Sequence, residues 1–142
     1  MKIRAQDRYL GAGLAQIVEH QSFKALNQVS GGYGHYVINA DRHLFAKYSS
    51  TSRSPWQFTF QPDDLKAILS AGSKTFVMLV CGAVTVCGLT LSEIRQVIDL
   101  NSAAAQYVKI EVPRGGSCHI RGSKGKLKTT VPHNAFPRKA FA

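Results

Sequence analysis

Between Lys109 and Ala142 the chain places eight cationic side chains, Lys109, Arg114, Arg121, Lys124, Lys126, Lys128, Arg138 and Lys139, against a single acid, Glu111. Side chains of these types bind phosphate, arginine through a planar fork of donors and lysine as a point charge, and glycine-rich turns let backbone amides approach the same anion. Arg114 and Arg121 flank such turns. Lys124, Lys126 and Lys128 alternate around a turn and the strand after it, a spacing that would put them on one face. Arg53, in the serine-rich loop SSTSRSP, and Lys47, on the strand before that loop, extend the same chemistry toward the first half of the chain. The plainer reading is a lysine-rich solvent face that keeps an edge strand from pairing with other chains. The balance of 18 Lys and Arg against 8 Asp and Glu leaves a formal charge of +10 on 142 residues. Its field reaches about 8 Å at physiological salt and draws polyanions, nucleic acid first among them.

Other chemistries find less support. His35, His43, His119 and His133 lack the i, i+4 or short-loop spacing of a zinc ligand set. Cys81, Cys87 and Cys118 form no CxxC pair, and the first two stand among β-branched residues, where thiols act as small buried hydrophobes. Nothing local signals a Ser or Cys nucleophile with a His base. The apolar run from Thr75 to Leu91 is broken by Gly82 and Gly88 and rich in β-formers, so two strands are expected there and no membrane partner. The N-terminus has no sustained apolar stretch, which favours a cytoplasmic protein.

The elements that would carry these residues follow from pattern. Leu10, Leu14, Ile17, Val18, Phe23 and Leu26 at helical spacing predict one helix or two short ones from about Asp7 to Gln28. A loop at Ser30, Gly31, Gly32 and Gly34 leads into a hairpin, His35 to Leu44 returning through Tyr48 about an Asn39-Ala40-Asp41-Arg42 turn. Trp56, Phe58 and Phe60 alternate with polar residues as a third strand. One of those rings could stack on a base, but core is the simpler role. Pro62, Asp63 and Asp64 open a helix that ends at Gly72. Strands follow at Phe76–Cys81 and Val84–Leu89, then a capping box, Thr90 to Glu93, starts a helix through Leu100. Gln106–Val112, Cys118–Arg121 and Leu127–Val131 read as three further strands. The expected fold class is α+β, a single domain over 1–142 with a central mixed, mainly antiparallel sheet flanked by helices.

The stretch from Gly34 to Phe60, three short strands with Lys47 near the middle, lies between two helices and is followed by a strand. This order resembles the core of the restriction-endonuclease-like, or PD-(D/E)XK, superfamily, over roughly residues 10–80, with a β-rich basic portion at about 101–142 beyond it. The resemblance implies a divalent metal held by carboxylates, and a lysine that positions or activates the attacking water. Glu19 then matches the helical acid, Lys47 the motif lysine, and Asp41 is the nearest further acid, so that Glu19 and Asp41 would hold Mg²⁺ in an active enzyme. The chain departs from the pattern at Phe45, two before Lys47, where the family has Asp or Glu, and at His35 and Tyr36, where a metal-binding Asp is expected.

The expected function is therefore nucleic-acid binding, DNA ahead of RNA, through non-sequence-specific contacts of Lys47, Arg53, Arg114, Arg121, Lys124, Lys126 and Lys128 to the phosphate backbone. Two alternatives stand beside it: a Mg²⁺-dependent endonuclease with Glu19, Asp41 and Lys47 as an irregular catalytic set, and a non-enzymatic subunit that binds another protein. A homodimer would help a chain of this size span a duplex.

Overall fold

The structure, a computed structural model, describes residues 1–29 and 34–142 and is α+β. Most of the expected glycine loop, Ser30 to Gly32, lies outside the described residues. The first helix, α1 (Ala5–Glu19), begins where the Asp7 carboxylate accepts the Arg4 N–H at 2.9 Å, and it buries Leu10, Gly13 and Ile17. It stops nine residues short of the Gln28 limit suggested by its spacing. Asn39 explains why: its carboxamide accepts the N–H groups of Lys24 and Ala25 and donates to the Ser22 carbonyl, which ties residues 22–25 outside the helix, after the turn at 21–22. Leu26–Gln28 thereby becomes a strand, β1, paired with β2 (His35–Ile38) rather than a last helical turn. Tertiary hydrogen bonds override a local period here.

Five strands make the first sheet, in the order β1-β2-β3-β5-β6, with β3 at Arg42–Ser49, β5 at Thr75–Cys81 and β6 at Thr85–Thr90. All neighbours are antiparallel except β3 and β5, which run parallel and are joined through α2 (Pro62–Ala71). Every residue of β5 is buried. A strand apolar on both faces belongs at the middle of a covered sheet, and it takes the open side of β3. The expected third strand of the central sheet, β4 (Trp56–Phe60), is consequently displaced. It pairs with β7 (Gln106–Glu111) in a separate three-stranded sheet, β4-β7-β8, with β8 at His119–Gly122. The expectation of one central sheet is corrected to two.

Two apolar cores lie against opposite faces of the first sheet. Leu44, Ala46, Phe76, Met78 and Val80 meet α1 and the C-terminal Phe136 and Ala140. Phe45, Val77, Leu79, Cys81 and Leu89 point the other way, onto α2, α3 (Leu91–Val97) and the inner face of the second sheet, where Trp56, Phe58, Phe60, Val108, Ile110 and Ile120 are buried. Gly13 lets α1 settle on this surface, since a Cβ there would meet Met78 Sδ at 2.6 Å. The expected strand at Leu127–Val131 is reduced to isolated bridges, Arg121 to Lys126 and Cys118 to Val131, because the segment turns Leu127 and Val131 inward to close the second core.

Candidate nucleic-acid interface

In the second sheet the apolar residues of each strand face inward, so the alternate residues form an exposed surface. Trp56, Phe58 and Phe60 are buried while Gln57 and Thr59 are exposed; Val108 and Ile110 are buried between Tyr107, Lys109 and Glu111; Ile120 is buried between His119 and Arg121. Register then decides which exposed residues are neighbours. Gln57 lies opposite Lys109, Lys109 opposite Arg121, and Arg121 opposite Lys126, a lateral row that ends in three adjacent cations. Two inter-strand spacings make the cationic part about 10 Å wide. Glu111 and His119 pair in the next row, and a cavity of about 290 Å³ is lined by Lys109, Glu111, Pro113, His119, Ile120, Arg121 and Lys126. Arg121 and Lys126 are exposed and Lys109 is half-buried, and none of the three has a carboxylate within ion-pair distance among the described residues, although Glu111 lines the same cavity.

Arg53 and Arg114 are exposed near one end of this face. Ser54, next to Arg53, donates its hydroxyl to the Val112 carbonyl at 3.3 Å, and Arg114 follows two residues later in the turn closed by Gly116 N–H to Pro113 O. Lys128 is exposed beyond the buried Leu127, on the Lys126 side. Lys124 does not share the face, contrary to the alternation expected for Lys124, Lys126 and Lys128. Its Nζ donates to the Arg95 carbonyl at 3.1 Å and its backbone N–H to Val97 O at 2.9 Å, so it covers the C-terminal carbonyls of α3, where a cation is favoured. Lys139 is occupied as well, gripping both oxygens of Glu93 at 2.8 and 2.9 Å beside the N-terminus of α3. Lys109, at the centre of the row, carries no signal in the sequence beyond its charge, because only cross-strand register shows its neighbours.

Lys47 lies on the α2 side of the first sheet. Its Nζ bonds Asp64 Oδ2 at 3.1 Å and stands 5.1 Å from the centroid of the Phe60 ring. The same Asp64 oxygen accepts the Gln61 N–H at 2.9 Å, so the carboxylate that caps α2 also fixes the lysine. A shallow cavity of about 210 Å³ joins Lys47 to Gln57 and Thr59, the border of the exposed sheet face.

Lys47 is not brought together with the two acids matched to a metal-dependent nuclease. Glu19 is exposed at the end of α1, which covers the face of the sheet opposite to Lys47. The stacking of Tyr9 on Tyr48 at 5.3 Å puts the start of α1 at the Lys47 end of β3, and so carries Glu19 to the far end. Asp41 precedes β3 and pairs with Lys74 at 3.5 Å, six residues or about 20 Å of strand from Lys47. Phe45 is packed beneath the His35 ring, with centroids 4.2 Å apart, where the family pattern requires a carboxylate. Both acids are thus remote from Lys47, Phe45 supplies no carboxylate beside it, and among the described residues no three His, Cys, Asp or Glu side chains gather as metal donors.

His35 and His43 meet ring to ring, Nε2 to Nδ1, at 2.9 Å. Burial, and then the neighbouring His43, push the His35 pKa down. All three cysteines are buried and form no disulfide. The Cys87 pKa is raised well above the ordinary thiol value, first by its hydrogen bond to Cys118 and then by burial, and burial raises Cys81 too. Cys81 and Cys87 are therefore neutral, inert packing groups, while the same hydrogen bond lowers the pKa of Cys118. Among the described residues no helix is long and apolar enough to cross a membrane. Comparison with family models, with curated proteins and with solved structures found no match.

Proposed function

We propose that this chain is a nucleic-acid-binding protein that grips the phosphate backbone without reading sequence and without cutting it. The observation that carries the reading is the lateral row Lys109, Arg121 and Lys126 on the outer face of the second sheet, three adjacent cations without an ion pair among the described residues. Arg53, Arg114 and Lys128 widen the positive surface, and the Lys47 cavity borders it. A divergent restriction-endonuclease-like core is part of the proposal. Of the three strands on which the resemblance rests, β2 and β3 pair in the first sheet and β4 lies in the second; the reading is supported by the order α1, β1, β2, β3, α2, β5, with β5 parallel to β3, in which β1 takes the place expected for β4. The distance of Glu19 and Asp41 from Lys47 favours binding over catalysis, and DNA in the cytoplasm is the expected partner.

The test is fluorescence anisotropy of labelled oligonucleotides against salt, with Mg²⁺ present and the probes checked for cleavage afterwards. Log affinity should fall linearly with log salt, and removing Lys109, Arg121 and Lys126 together should make that slope shallower by about 0.7–0.9 for each phosphate that is no longer neutralised. The three side chains lie on the solvent face of the sheet, so the variant should melt as the parent does. A slope unchanged in the triple variant would overturn the placement of the interface. Cut probes would establish an endonuclease, and absence of binding at about 100 mM salt would leave a protein partner as the better reading.

A further inference from the structure

The exposed sheet face carries a group that phosphate binding alone does not use. Tyr107 is 38 % exposed and is the one aromatic ring among the large apolar side chains exposed in the described residues. It stands on β7 two residues before Lys109, on the same side of the strand and about 7 Å along it. Its cross-strand neighbour is Thr59. On the other side Ser123 pins its backbone, the Ser123 hydroxyl accepting the Tyr107 N–H at 2.8 Å and the Ser123 N–H donating to the Tyr107 carbonyl at 3.1 Å. Small polar side chains therefore flank a ring held on a rigid strand, beside the row of three cations.

We propose that this face binds single-stranded nucleic acid, a base stacking on Tyr107 while the adjoining phosphates lie on Lys109, Arg121 and Lys126. The inference rests on the phosphate-binding reading above and adds strandedness to it. In a duplex the bases are already stacked on one another and offer only their edges, so an exposed ring on a flat sheet gains little from it. An unpaired base presents its π-face, and base–aromatic stacking tolerates any sequence, as does a grip on phosphate. Glu111, two residues beyond Lys109 on the same face, repels phosphate and limits the track on that side. Single-stranded DNA and single-stranded RNA share this chemistry.

The experiment compares a labelled thymidine oligonucleotide of about 12 nucleotides, the corresponding uridine oligonucleotide and a duplex of equal length, within the span of such sites. Both single strands should bind more tightly than the duplex, and the ratio between them tells DNA from RNA as the preferred ligand. Tyr107→Ala should weaken single-strand binding at least about fivefold while leaving the salt slope unchanged, and Tyr107→Phe should retain the parent affinity. Tyr107→Leu keeps the bulk and removes the π-face, so it reports the same loss if the alanine variant folds poorly. Equal affinity for duplex and single strand, with Tyr107→Ala and Tyr107→Leu unaffected, would overturn this inference and leave phosphate binding standing. A Tyr107 variant that loses duplex affinity in the same proportion or flattens the salt slope would also overturn it. Failure of the parent to bind any probe would overturn both.

Discussion

The hydrogen bond between His35 and His43 needs one ring nitrogen to donate and the other to accept, so the pair tolerates at most one added proton before both become donors. The folded state depresses the His35 pKa, which means the unfolded chain binds the proton more readily. The stability this pair provides is therefore complete above about pH 6.5 and is lost as the pH falls through the lower folded value. The melting temperature should drop between pH 7.5 and pH 5, and His35→Phe should reduce the pH dependence, as thermal melts at a series of pH values would show. Lys47 carries a different expectation. Its ion pair with Asp64 is partly exposed, at 29 % and 39 %, so Lys47→Ala should cost no more than about 1 kcal/mol in urea unfolding. The cations themselves are readable as residue types in the sequence. Their division is not: Lys124 and Lys139 serve the two ends of α3, and Lys109 joins Arg121, because partners far along the chain decide where each amine points.

At the scale of elements, α3 is only seven residues long and depends on its ends. Thr90 accepts the Glu93 N–H through its hydroxyl at 3.4 Å, and Glu93 accepts the Thr90 N–H at 3.0 Å, so Thr90→Ala should destabilise the protein by about 1 kcal/mol in chemical denaturation. Gly88 on β6 leaves space for the Phe76 ring, which a Cβ would strike, and Gly88→Val should cost more than the cap does. Several of these elements are legible in the chain because their signals are local. Pro62 with two acids starts α2, the Thr90 to Glu93 box starts α3, and the alternation of Trp56, Phe58 and Phe60 marks β4. The failures share a different cause. Phe23 and Leu26 keep helical spacing although Asn39 ties the segment between them outside the helix, and the choice of partner for β4 depends on β5 being apolar on both faces. Neither fact is contained in a window of neighbouring residues.

For the whole molecule, the formal charge of +10 works against compactness through self-repulsion and in favour of a polyanionic ligand. A ligand that binds only the folded state stabilises it by about 2.7 kcal/mol when present at a hundredfold excess over Kd. Saturating single-stranded oligonucleotide should therefore raise the melting temperature by several degrees in low salt, and about 0.5 M salt should abolish the shift. Scanning calorimetry with and without the oligonucleotide checks both halves of that expectation.

The pairing of β4 with β7 also sets a timetable for biosynthesis. The ribosome makes Trp56, Phe58 and Phe60 roughly fifty residues before the segment Gln106–Glu111 that will cover their strand. At about 5–20 residues per second this is a wait of several seconds, during which three large rings occupy a strand without its neighbour. Slow translation between these two segments would lengthen that exposure and should favour inclusion bodies, even though the finished protein buries all three rings to 2 % exposure or less.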